Sequence, residues 1–212
     1  KKGSYELSYL AARHTNTMDS DTMRLVQHLI EKEKINVLLI ESIPHSSGES
    51  PQWFVEESKK GLTDAFVPGG ESALAVALAD QKRIPFFAGE PDHQDIYRGL
   101  KDRKYTDQDV IGFYTVRQIP QWVRQRENKN DLFKRKIPPY LKHYCKVFGI
   151  QDCPSMDETL KWYKSKLGHE LSVDISNEET APVLDGTLFT QKMSSEVGYI
   201  RDHFTLGIIE KL

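Results

Sequence analysis

Three short apolar runs of this chain each lead into a residue that can bind a metal or move a proton. Tyr5-Glu-Leu-Ser-Tyr-Leu-Ala-Ala-Arg13 leads into His14, Val37-Leu-Leu-Ile40 into Glu41, and Ile84-Pro-Phe-Phe-Ala-Gly89 into Glu90. Helical segments separate the runs, and a strand–helix–strand order in one sheet implies a right-handed parallel crossover. Parallel strands end on a common edge, and open α/β sheets bind ligands in the crevice there. The pattern therefore predicts an α/β fold with a mainly parallel central sheet flanked by helices. It also predicts that His14, Glu41 and Glu90 surround one cleft.

Local signals fill in the elements. Asp19, Ser20 and Asp21 offer an N-cap, and Met23, Leu25, Val26, Leu29 and Ile30 follow as a helical stripe. The Val37–Ile40 run is apolar throughout, as in a strand covered on both faces. Pro44–Pro51 is a polar loop at the expected sheet edge, and Gln52–Lys60 reads as a short helix. Pro68-Gly69-Gly70 breaks the chain before Glu71, which opens an Ala-rich segment of strong helix propensity.

Strand patterning fades after Asp92. Thr106 caps a helix over Asp107–Arg126, and Asn130–Gly149 is helical with a break at Pro138-Pro139. Ser155-Met-Asp-Glu158 is a capping box for a helix that Gly168 stops. Asn177–Thr190 is irregular. Met193–Leu212 is a final helix with Met193, Val197, Ile200, Phe204 and Ile208 as its stripe and Arg201 on its shoulder. The chain of 212 residues suits a single α/β domain over 1–212, with a helical insertion at about 105–170 that caps the cleft or lies beside it.

Composition removes several classes. A net charge of −2 and a pI near 6.4 argue against nucleic acid as the main partner. The basic cluster Lys134-Arg-Lys136 reads as a solvated helix face. No apolar run reaches the roughly 20 residues of a membrane span. Cys145 and Cys153 read more readily as free thiols than as a disulfide, and two cysteines alone do not make a zinc site. There is no Gly-x-Ser-x-Gly elbow, P-loop, dinucleotide fingerprint or His-Glu-x-x-His helix, since Val173 stands where the second His would be. The chain begins Lys1-Lys2-Gly3 without Met, which is compatible with an export signal removed earlier.

The remaining candidates differ in what else they could be doing. His14 sits between a strand and a helix, where a neutral imidazole binds metal or acts as a base. Glu41, at the end of an apolar strand, would be partly desolvated and would need a partner. Glu71 is also what a helix dipole favours in any first turn. Glu90 is the member of Gly89-Glu-Pro-Asp-His93 closest to the strand; Asp92 is a natural N-cap, and it and His93 are bystanders.

In order, these motifs resemble the superfamily that joins the TraB/TIKI proteins, the ChaN-like proteins and the erythromycin esterases. The likeness covers residues 5–95 and 190–212 and is closest to the TraB/TIKI branch, whose Arg-Asp/Asn helix resembles Tyr199-Ile-Arg201-Asp202. It implies a hydrolase of ester or amide bonds with catalytic His14, Glu41, Glu71, Glu90 and Arg201. TIKI-like members are metal-dependent proteases, so a divalent metal (Mn, Co or Zn) on His14, Glu41 and Glu90 and a peptide or small-molecule substrate are implied. Erythromycin esterases use His and Glu without metal. ChaN-like members bind haem, which makes a non-catalytic haem or small-ligand protein the alternative, with a degenerate structural member as a third. The first Gly-x-x-His falls on Ala11–His14, with Ala for Gly. The family places a second Gly-x-x-His on a strand after the Arg helix, so the resemblance implies either a native product that continues past Leu212, which is the expectation here, or an incomplete site. Residues 1–212 alone should then bind a divalent metal weakly or not at all.

Overall fold

A computed structural model describes residues 8, 10, 15, 17–44, 56, 70–124, 131–175, 177–179 and 186–212. Its contacts divide the chain into two compact units, Lys1–Glu90 and Pro91–Leu212, where length alone suited one domain.

In the first unit, α1 spans Asp21–Lys32, β1 Leu38–Pro44, α2 Gly70–Lys82 and β2 Phe86–Glu90. Ser20 starts α1 by accepting the Met23 N–H at 3.3 Å, which satisfies one of the donors that a helix start leaves open. Met23, Val26 and Ile30 form the buried stripe of α1 and pack on Ala73, Leu74 and Leu78 of α2. Helix α2 is buried along nearly its whole length. Its small residues suit this, because Ala lets neighbours approach and costs no side-chain entropy. Strands β1 and β2 are parallel, with Leu38 opposite Phe86, Leu39 opposite Phe87 and Ile40 opposite Ala88. The ladder is irregular between Ile40 and Pro44 and then pairs Pro44 with Glu90. A Cβ on Gly89 would lie 3.0 Å from the Ile40 carbonyl oxygen, so only glycine permits this approach without a shift.

The expected mainly parallel central sheet is corrected here. Among the described residues the sheet has two strands and the chain is mostly helical. Of the expected strand at 5–13 only Ser8 and Leu10 are described, and neither lies in a strand. The expected helix at Gln52–Lys60 lies outside the described residues except Glu56, which is helical.

The second unit is helical: α3 His93–Asp102, α4 Asp107–Val116, α5 Ile119–Arg124, α6 Leu132–Phe148, α7 Met156–Leu167 and α8 Phe189–Ile209, with a 3-10 turn at Asn177–Glu179. Its core joins Leu100, Val110, Ile111, Phe113, Ile119, Ile137, Trp162, Tyr163 and Met193. Each such side chain, removed from water, contributes about 1.5–3 kcal/mol. Thr106 caps α4 as expected, in a capping box with Asp109 that the sequence reading did not name, and Ser155 caps α7 through the expected box with Glu158. Gly149 and Gly168, at φ 70 and 81, end α6 and α7 in the left-handed conformation.

Three expectations change. The single helix Asp107–Arg126 is two helices, α4 and α5. Conversely, Pro138-Pro139 does not break α6. Their rings deprive the carbonyls of Lys134 and Arg135 of helical donors. Those residues and both prolines face solvent, where water can replace the donors, while Ile137 and Leu141 hold the helix on the core. Cys145 and Cys153 are bonded to each other and are not free thiols. No helix among the described residues is long and apolar enough to cross a membrane.

Candidate functional site

Strand direction places the candidate acids of the first unit. Helix α2 hands the chain to β2 through the short segment 83–85, so the helix runs antiparallel to the strand it feeds. Its N-terminus, with Gly70 and Glu71, therefore lies toward the C-terminal edge of the β1–β2 pair. Gly70 has φ 64, a conformation that lets the chain turn sharply into the helix.

Glu71 is only 8% exposed, unusual for a carboxylate, and its Oε2 accepts the Thr15 N–H at 3.1 Å. This bond joins two segments 56 residues apart in sequence. The positive end of α2 also favours a carboxylate at this position. His14 lies outside the described residues. Its neighbour Thr15 is thus tied to Glu71, and the Thr15 hydroxyl accepts the Thr17 N–H at 3.2 Å ahead of the α1 cap.

Glu90 is the last residue of β2, half-buried, and pairs with Pro44. Glu41 differs from the expectation. It lies inside β1, which continues to Pro44, and it is exposed instead of partly desolvated. The preceding Ile40 packs on Val76 of α2. Successive strand side chains face opposite ways, so Glu41 points away from that helix. Of the two strand acids only Glu90 stands at its strand's end, and of Glu41, Glu71 and Glu90 only Glu71 is buried. Among the described residues no three His, Cys, Asp or Glu side chains are grouped to hold a metal ion.

Arg201 belongs to α8 in the second unit, where it is half-buried. Asp92 stands at the N-cap of α3, as expected. His93 follows it with its ring centroid 6.5 Å from that of Tyr114 and 6.2 Å from that of Phe148. Burial lowers the His93 pKa below its ordinary value; His143 and Arg117 add to this and Asp92 opposes it.

The second unit holds a polar cluster that sequence reasoning missed. Asp109, 4% exposed, accepts the Trp162 indole N–H at 2.9 Å, the Lys166 ammonium at 2.9 Å, and the Thr106 N–H and hydroxyl at 2.9 and 2.8 Å. Burial works to raise its pKa, but the bonds from Trp162, Thr106 and Lys166 outweigh it, so the carboxyl sits below its ordinary value. Thr106-Asp-Gln-Asp109 has the spacing of a capping box, which was the available signal; nothing local points to Trp162. Two open grooves, of about 1010 and 450 Å³, are also lined by residues of this unit and by none of the strand-end acids.

No family model, curated protein or solved structure matches this chain.

Proposed function

We propose that the first unit carries a hydrolytic site for ester or amide bonds, on a peptide or small-molecule substrate. The observation that carries the reading is the buried Glu71 carboxylate bonded to the backbone beside His14. A buried carboxylate and an imidazole together are the pairing that general acid–base catalysis needs, and Glu71 is tied to the residue that follows His14 in sequence. Glu41 and Glu90 supply the acids that would share a divalent metal (Mn, Co or Zn) with His14 or orient a water molecule. The reading rests on the parallel β1–β2 pair and on helix α2 of the first unit. It includes an exported location, which the Cys145–Cys153 bond favours.

The test measures turnover of aryl ester and peptide probes by the full chain, with and without each metal, beside metal content and a haem absorbance scan. Turnover lost in His14→Ala and Glu90→Gln, with both variants folded, supports the proposal. Bound haem without turnover would replace it with the ligand-binding alternative, and a folded chain inert under every condition would overturn it.

A further inference from the structure

The second unit carries a feature that does not rest on the hydrolase reading. Both cysteines of the chain are joined to each other, eight residues apart, across the connector between α6 and α7. Cys145 sits on the core face of α6 and is 4% exposed. Cys153 is exposed. It lines the groove of about 1010 Å³ with Lys101, Lys104, Thr106 and Asp107 on the other wall.

The connector is held to the end of α6 from two sides. The backbone already turns it back: Gly149 adopts φ 70, and the Ile150 N–H donates to the Cys145 carbonyl at 2.8 Å. Further along, the disulfide brings the Cys153 and Cys145 Cα atoms to 5.7 Å. The turn thus presents the two sulfurs to each other, which favours intramolecular closure over reaction with outside thiols. No third ligand group among the described residues offers these sulfurs a metal instead.

We propose that Cys145–Cys153 is an oxidative maturation site: the chain acquires the bond in a thiol-oxidising compartment, and the bond fixes the groove wall formed by Gln151, Asp152 and Cys153. The co-reactant is a small or protein disulfide. The exposed Cys153 thiolate attacks it, one sulfur leaves as a thiol, and a mixed disulfide forms. The Cys145 thiolate then displaces the second sulfur. Two protons and two electrons pass from the chain to the external disulfide, which becomes two thiols.

The asymmetry in burial sets the order of these steps and makes them testable. In Cys145→Ser, oxidised glutathione should form a mixed disulfide at Cys153. In Cys153→Ser, the buried Cys145 should react with glutathione or a maleimide at least about 10-fold more slowly, since reactivity follows exposure and thiolate character. Equal rates, or a faster Cys145, would overturn the proposed sequence. Acid-quenched full chain from the cells that make it should resist a maleimide mass tag until reduced, and then take up two tags. Two tags without reductant would overturn the maturation site. Backbone hydrogen exchange at Gln151, Asp152 and Cys153 should accelerate about 10-fold or more on reduction, as expected for a segment released from its anchor. Unchanged exchange would overturn the role in the groove wall.

Discussion

Replacing Asp109 with alanine should be among the most damaging single changes in the second unit. The carboxylate accepts four hydrogen bonds within 2.9 Å, from Trp162, Lys166 and both Thr106 donors. Trp162 is itself buried, so its indole N–H would be stranded, at about 1–3 kcal/mol. Loss of the box at the start of α4 adds about 1 kcal/mol. Lys166 is a third exposed and can turn to water, so it adds little. The expected loss is about 2–4 kcal/mol, read as a shift in the urea unfolding free energy. Adding Trp162→Phe removes the stranded donor, so the double variant should lose less than the sum of the single changes. The pH dependence has a fixed sign. The folded pKa of Asp109 is depressed, so its contribution is present above the unfolded value near about 4 and fades as pH falls through the folded value. The gap between wild type and Asp109→Ala should therefore narrow as pH falls below the unfolded value near about 4. A gap below about 1 kcal/mol at neutral pH, or one that widens in acid, would refute the reasoning.

Other changes probe packing and ionisation. Gly112→Ala would put a Cβ 2.5 Å from Cε3 of the Trp162 ring, so it should destabilise by about 1–3 kcal/mol and alter tryptophan fluorescence. Gly99→Ala meets the flexible end of Ile200 at 2.8 Å and should cost less; the reverse order in thermal melts would contradict the packing described. Pro138→Ala restores a helix donor on an exposed face of α6 and should raise the melting temperature, in keeping with a proline penalty of up to about 3 kcal/mol. Tyr97 has its pKa pushed up to about 12 by burial and by its bond to Asp107. Its stabilising contribution is complete below the unfolded value near about 10 and is lost as pH rises toward 12. Tyr97→Phe should remove that part of the alkaline unfolding, followed by circular dichroism.

What was legible in the sequence was mostly local. Ser20, Thr106 and Ser155 are caps because each has its partner within three residues, and Gly168 ends α7 because only one backbone conformation is needed there. The end of β1 was not legible. Glu41 looked like a terminus because the apolar run stops at Ile40, yet the irregular ladder continues to Pro44. The fate of Pro138-Pro139 depended on which side of α6 faced solvent, and the pairing of Cys145 with Cys153 depended on how Gly149 turns the connector. Neither is a property of spacing. For the same reason Glu71 read as an ordinary first-turn acid: its bond to Thr15 spans 56 positions and leaves no trace in the local pattern.

That bond gives Glu71 two separable roles, and one substitution distinguishes them. As a structural acceptor it needs only an sp² oxygen for the Thr15 N–H, which glutamine also offers. The lost charge at the α2 N-terminus is worth about 0.3–1 kcal/mol, or up to about 2 where partly buried. Glu71→Gln should therefore fold with a stability close to wild type. Glu71→Ala, which leaves the Thr15 donor without this acceptor, should lose about 1–3 kcal/mol. Acid–base chemistry cannot be supplied by an amide. If Glu71 acts on substrate beside His14, the glutamine variant should lose about 10²-fold or more in kcat while staying folded. Retained turnover in Glu71→Gln, alongside a destabilised Glu71→Ala, would assign the residue to holding the His14-Thr15 segment and leave the chemistry to His14, Glu41 and Glu90.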